Sequence, residues 1–239
     1  MRRESPRRRG LTRLAAVTLA VAVALYLSLA YLAVPEFWTL RVKRLRPPSR
    51  MVTTTPQGIP GDPINVGFVG SHEDVTVAFA AAGWGPADLL TLRTAVEIGL
   101  SVVLDRPYPD APVSTLLYEG RRQDLTFEKP VGTSADRRHH LRLWQTGERL
   151  ADGRPLWLGA ASYDRGSGFS HDTGQITHHI GPDIDAERAL VFRDLENAGR
   201  IISSEIVAGI GATANGRNGG GDLYFTDGKA RIGILRAGP

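Results

Sequence analysis

Between Arg121 and Asp183, apolar and polar residues alternate with a period of two, in RRQDLTFEKPV, RRHHLRLWQ, RPLWLGAASYDRG and GQITHHIGPD. That period puts successive side chains on opposite sides of the chain, so it predicts strands with one buried and one exposed face. Helical spacing flanks these segments. Ser71 caps a helix with Val75, Ala78, Phe79 and Ala82 that stops at Gly83, and Asp88 caps a second with Leu89, Leu92, Val96, Leu100 and Val103 on one face. Asp185 starts a third, with Ala189, Leu190, Phe192 and Leu195, closing at Gly199. Ile64–Val69 and Ile201–Val207 read as further strands, and Asp227-Gly228 as the turn of a last hairpin. Thr55–Pro63, with three prolines and two glycines, reads as a loop; Pro107, Pro109 and Pro112 form an extended connection; Gly209–Gly221 reads as a mobile glycine-rich loop. These elements predict an α+β fold, a mixed, largely antiparallel sheet with helices packed on one face.

One run breaks the pattern. Leu14–Val34 is 21 residues without a charge, about 31 Å as a helix, roughly the hydrocarbon thickness of a bilayer. Tyr26, Tyr31, Phe37 and Trp38 stand where an interfacial aromatic belt would sit. Ser28-Leu29-Ala30 offers a small-residue cleavage site, but the run is longer than a signal-peptide core, which favours a retained anchor. Residues 1–13 are then a basic flank, 14–34 a transmembrane anchor, 35–50 a basic, proline-bearing linker and 51–239 a soluble domain. Arg46-Pro47-Pro48-Ser49 makes a stiff spacer that sets the domain off from the bilayer. The proximal flank nets +5 and the distal flank +4, so the positive-inside rule leans to a non-cytoplasmic domain.

Charge changes the reading of partners. The chain nets +4, yet residues 1–50 hold 11 of its 29 basic side chains, and residues 51–239 carry 18 basic against 23 acidic groups. The positive charge flanks an apolar helix and no folded face, which excludes nucleic-acid binding. The bilayer is the expected partner through residues 14–34, with an envelope lipid, a glycan or a membrane protein as further candidates. With no cysteine, thiol catalysis, disulfides and thiolate-bound metals are excluded.

The strings TPQGIPGDPINVGFVGS, GRRQDLTFEKPVG and YDRGSGFSHDTGQITHHIGPDIDAER are long and idiosyncratic. Through them the chain, from Val52 to Gly199, resembles the LssY C-terminal domain family. The resemblance implies a bacterial membrane protein, here a single-pass protein of the inner membrane. In some members the domain is joined to a type 2 phosphatidic acid phosphatase domain. It implies no catalytic residues, because the family has none assigned. The phosphatase reaction does not carry over: the PSGH-type element is absent, and His179-x-x-x-Asp183 lacks the matching arginine upstream.

Parity sorts the polar residues. Arg122, Asp124, Thr126 and Glu128 share one face, His140 and Arg142 another, and Gln175, Thr177 and His179 a third. Asp124, Glu128, His140, Asp164, His171 and His179 are therefore the candidate acid–base residues, with Arg122, Arg142 and Arg165 as binding residues. The alternative is a solvated sheet face laced with cross-strand ion pairs. His139 and His178 fall on the apolar faces, as hydrogen-bonded core histidines. Tyr163–Gly168 reads as a functional loop, with Asp164 and Arg165 able to fix its turn. A zinc site of His171, His179 and Asp183 has no compact ligand spacing, so no metal and no cofactor are assigned. Ser167 lacks a GxSxG elbow, and GIGATANGRNGGG lacks the Gly-Lys-Ser/Thr ending of a phosphate loop. Two functions stay open: an accessory or binding module of the envelope, and a hydrolase of phosphorylated or glycosylated envelope substrates.

Overall fold

The alternating segments pair as strands, and two helices pack across them. The computed structural model describes residues 6–37, 51–87, 115–132, 137–208 and 214–238. Its elements are α1 (Pro6–Ser28, running on into a π-helical turn, Leu29–Ala33), β1 (Val52–Thr54), β2 (Pro60–Pro63), β3 (Val66–Val69), α2 (His72–Ala81), β4 (Gly85–Pro86), β5 (Leu117–Tyr118), β6 (Arg121–Arg122) and β7 (Leu125–Pro130). There follow β8 (Arg138–Arg149), β9 (Pro155–Phe169), β10 (Ile176–Ile180), α3 (Ile184–Asn197), β11 (Ile201–Ala208), β12 (Asn215–Arg217), β13 (Leu223–Phe225) and β14 (Lys229–Leu235). The helix expected from Asp88, the prolines at 107, 109 and 112, and the Arg46–Ser49 spacer lie outside the described residues.

The large sheet runs β11-β14-β3-β9-β8-β7-β4, with β10 paired to the outer half of β9. Among the described strand pairs of this sheet, only β14 and β3 are parallel. Its backbone is the long β8–β9 pair, from Arg138 opposite Asp164 to Arg149 opposite Pro155. On one face Phe68, Phe127, Leu141, Leu143 and Trp157 meet Val75 and Phe79 of α2 and Val191, Phe192 and Leu195 of α3. Phe79 stacks on Phe127 at 4.6 Å and Phe68 on Phe192 at 5.4 Å. Burying each such ring contributes about 1.5–3 kcal/mol.

The other face is not solvated, which corrects the reading of an exposed polar side. A small sheet, β2-β1-β5-β6, covers it, and Met51, Ile64, Leu116 and Tyr118 pack there on Trp144 and Ala160. Part of Thr55–Pro63 is thus strand β2, since Thr54 pairs with Pro60 and Val52 with Pro63. Two other expectations also change. Residues 163–168 form no loop, because β9 runs on to Phe169 in register with β10. Asp227-Gly228 closes no hairpin, because β13 pairs with β12 whereas β14 pairs with β11 and β3. The Asp227 carboxylate instead accepts from both Arg188 and the Lys229 amide, holding the turn against α3.

Both helix starts are capped by side chains. Ser71 and Asp74 form a reciprocal capping box, and Gly83, at φ +79°, takes the left-handed residue after α2. In α3 the cap is Asp183, two residues before the expected Asp185; its carboxylate accepts from Ala186 N at 2.9 Å. Asn65 is the polar pin of the interior. Its Nδ2 donates to Ala161 O (3.0 Å) and Ile184 O (3.1 Å), and its Oδ1 accepts from Ala161 N (2.8 Å). It joins β9 to the start of α3.

The described residues contain one apolar helix long enough to cross a membrane, Thr12–Phe37, 26 residues rising about 39 Å. The domain abuts this helix. Tyr26 Oη donates to Gly174 O at 2.9 Å, Ile176 N donates to Tyr31 Oη at 3.3 Å, and Tyr26 meets Phe169 edge-on.

Replacing Asn65 by alanine leaves one buried N–H and two buried carbonyls without their partner. Unfolding of the detergent-solubilised chain in urea is expected to show a loss on the order of 3 kcal/mol. A loss below about 1 kcal/mol would show that Asn65 is not the pin.

Candidate functional site

Alternation on β8 sends Arg138, His140 and Arg142 to the face beneath the small sheet, where cross-strand neighbours bring Ser162 and Asp164 from β9 and Glu128 from β7. Arg138, His140, Arg142, Asp164 and Asp62 are all buried, each at 4% exposure or less. Buried charges persist only when paired, and the pairs are present. Arg138 donates to Glu128 (2.7 Å) and Asp164 (3.4 Å), and Arg142 to Asp62 (3.0 Å). His140 Nδ1 lies 3.3 Å from Asp164 Oδ2. Arg138 Nη2 and His140 Nε2, both buried, make no hydrogen bond among the described residues.

Burial pushes His140 down to about 4, and the neighbouring Arg142 and Arg138 act in the same direction. The imidazole is therefore neutral near pH 7. For Asp164 burial alone would raise the carboxyl, but His140, His178 and Arg138 outweigh it and hold it well below the usual range. Asp62 moves up, chiefly through burial, against the pull of Arg142. These groups wall a cavity of about 50 Å³ that is completed by Thr55, Thr177, His178, Asn218 and Gly220. It has the size of a few water molecules or one small polar group.

Next to the cavity, sharing Thr55, Thr177 and Gly219 with it, lies a groove of about 320 Å³. That volume is at the small end of ligand sites, roughly 300–1,000 Å³. Among the described residues, the twelve that line it include none with a formal charge; six carry hydroxyls (Tyr31, Thr55, Thr115, Ser170, Thr173, Thr177) and two are glutamines, Gln57 and Gln175. Tyr31 belongs to α1, so the groove opens beside the apolar helix.

A third group gathers around Asp222, whose side chain is 1% exposed. His179 Nδ1 is 2.8 Å, Arg165 Nη2 3.3 Å and His171 Nε2 3.8 Å from its Oδ1, while Ile180 N donates to its Oδ2 at 3.0 Å. The ligand atoms of His171, His179 and Asp222 lie within 4.8 Å of one another, a set able to hold a metal ion. Asp183, the carboxylate expected beside these histidines, is taken up as the cap of α3.

The residues singled out from the sequence thus divide. Glu128, His140, Arg142 and Asp164 come together in the buried layer, and Arg165, His171 and His179 around Asp222. Arg122 and Asp124 join neither. Arg122 is exposed on the edge strand β6, and Asp124 accepts from Gln145 N at 2.7 Å, tying β8 to the β6–β7 turn. His139 faces the helices and donates to Glu187 at 2.8 Å, whereas His178 walls the cavity. Arg138 shares the parity of His140 and Arg142, a signal that could have found it. Asp62, Asn218 and Asp222 come from glycine- and proline-rich stretches without a period. There Asn218 Oδ1 accepts from Gly220 N and Asp222 N, so the Asn218–Asp222 end of the glycine-rich loop is a hydrogen-bonded, largely buried turn, preceded by strand β12.

An α+β domain docked on an apolar N-terminal helix, with a neutral groove at their junction, is the class of protein these features define. The chain belongs to the LssY C-terminus family, whose model matches residues 43–230, beyond the 52–199 stretch that carries the quoted strings. Among curated proteins and solved structures, none matches it at a significant level.

Neutral burial of His140 has a consequence for stability. An unfolded imidazole titrates near 6.5 and the folded one at about 4. Between those values the unfolded chain binds more protons. Stability is thus full above pH 6.5 and falls, by up to about 3 kcal/mol, as pH drops toward 4. Asp164 adds a further loss at lower pH, and Asp62 works in the opposite direction. Urea unfolding at pH 7, 6, 5 and 4 is expected to show this slope, and a His140→Gln chain is expected to lose most of it. A variant that keeps the wild-type slope would place the titration elsewhere.

Proposed function

We propose that the chain is a single-pass protein of the bacterial cell envelope whose domain is a binding module, holding the hydroxylated headgroup of a membrane lipid in the groove beside α1. The observation that carries this reading is the lining: six hydroxyls and two carboxamides without one formal charge. Hydroxyls and amides donate and accept at once, as a polyol or sugar requires, while Pro56, Ile59 and Ile176 offer apolar contact for a ring face. A phosphate needs unspent positive charge. Here the adjacent buried guanidiniums, Arg138 and Arg142, already face Glu128, Asp164 and Asp62. Tyr31 in the lining puts the ligand at the anchor, which favours a lipid-borne headgroup over a soluble glycan. The hydrolase reading gains nothing from this groove, whose lining, among the described residues, has no carboxylate and no imidazole. The flanks of the anchor favour a non-cytoplasmic domain.

The test is retention of lipid by the full chain. Purified in detergent and equilibrated with equal amounts of a diglycosyl diacylglycerol, phosphatidylglycerol and phosphatidate, it is expected in native mass spectrometry to hold the glycosyl lipid at least about tenfold better than phosphatidate. Gln57→Leu and Thr177→Val, each removing hydrogen-bonding capacity from the lining, are expected to weaken that retention. Preference for phosphatidate, or indifference among the three, would overturn the reading.

A further inference from the structure

We propose that His171, His179 and Asp222 form a binding site for one divalent transition-metal ion, separate from the groove and independent of its ligand. Three elements meet there. His171 stands on the turn after β9, His179 on β10, and Asp222 at the end of the Asn218–Asp222 turn that leads into β13. Tetrahedral coordination at about 2.0–2.1 Å puts ligand atoms roughly 3.3 Å apart. The His179–Asp222 separation is 2.8 Å and the His171–Asp222 separation 3.8 Å. Each needs a shift of about half an ångström, which rotation of a partly exposed imidazole supplies.

The surroundings are shaped for these rings. A Cβ at Gly168 would fall 2.5 Å from His179 Nε2, and one at Gly221 would fall 2.7 Å from His171 Cβ, so glycine at both places lets the ligands in. Asp222 is held from behind. Ile180 N bonds its Oδ2 and Asn218 bonds its backbone, leaving Oδ1 directed at both histidines. Such outer contacts orient a ligand before the metal arrives. Arg165 also reaches Oδ1, at 3.3 Å, and would oppose a cation, but its side chain is 56% exposed and free to swing into solvent.

The donor set narrows the ion. Two imidazole nitrogens and one carboxylate oxygen suit zinc or ferrous iron better than the all-oxygen preference of magnesium or calcium. Three protein ligands leave a further position for water or substrate, the pattern of reactive and not of structural zinc sites.

The experiment uses the full chain in detergent, stripped with a chelator and titrated with Zn²⁺ by competition against a chromophoric chelator, and with Co²⁺ by visible absorption. One equivalent of each is expected to bind, with the d–d bands of four- or five-coordinate cobalt, and Zn²⁺ is expected to raise Tm. His171→Ala, which removes a ring 58% exposed, is expected to weaken Zn²⁺ binding at least tenfold and to alter the cobalt spectrum, with circular dichroism unchanged. Asp222→Asn is expected to do the same, with circular dichroism reporting whether the turn survives. His72→Ala, distant from the cluster, is expected to change neither. Absence of stoichiometric binding, or a His171→Ala chain that binds zinc and cobalt like the wild type, would overturn the site.

Discussion

Two guanidiniums carried into the interior by one strand set the terms for everything around them. Moving an unpaired ion out of water costs several kcal/mol, and removing one partner of a buried pair typically costs about 3–5 kcal/mol. Arg138 and Arg142 on β8 therefore demand carboxylates, and these come from three different strands: Glu128 on β7, Asp164 on β9 and Asp62 on β2. The last is decisive for the architecture. Asp62 belongs to the small sheet, so its pairing with Arg142 fastens that sheet over the polar face of the large one. Trp144, Met51 and Tyr118 close the same interface with apolar contact. Directional contacts between β6 and β8 add to the ion pair: Trp144 Nε1 donates to Arg121 O at 3.0 Å and Arg121 Nη2 to Gln145 O at 2.6 Å.

The pairing of charge within this layer explains why the described lining of the adjoining groove is neutral. The charges of Arg138 and Arg142 are paired inside the protein, and what reaches the groove through Thr55, Thr177 and Gly219 is hydroxyl and backbone. The three polar groups are thus arranged by depth: an ion-paired layer beneath the small sheet, a hydroxyl-lined groove at the anchor, and a carboxylate with two imidazoles at the rim.

The large sheet and the two described domain helices were legible because their signals are local. Strands of twelve and fifteen residues carry enough alternation to be read, and Ser71 caps its helix from adjacent sequence. Parity also grouped His140 with Arg142 correctly. It could not show that their face is covered, because the covering strands β1, β5 and β6 are two or three residues long, too short for any period. Parity lapses at Asp124, which lies between β6 and β7, so Arg122 and Asp124 were grouped with Glu128 although a turn and a change of sheet separate them. Asp222 sits 43 residues from His179, in a run of glycines that gives no hint of direction. Pairing across such a distance is a product of topology, and topology is the part of a fold that a single chain's pattern constrains least.

On the proposed lipid-binding reading, the contact between α1 and the β9–β10 hairpin would change the dimensionality of the ligand's search. Tyr26 and Tyr31 tie the helix to Gly174 and Ile176, so the helix that would lie in the bilayer also forms one wall of the groove. With α1 in a membrane, a lipid ligand of the kind proposed would reach the groove by sliding sideways within its leaflet, and occupancy would follow its areal density rather than any concentration in solution. The domain would then sample the composition of the membrane patch in which it resides. Its response would be set by what the surrounding lipids are, whatever the total amount of lipid present.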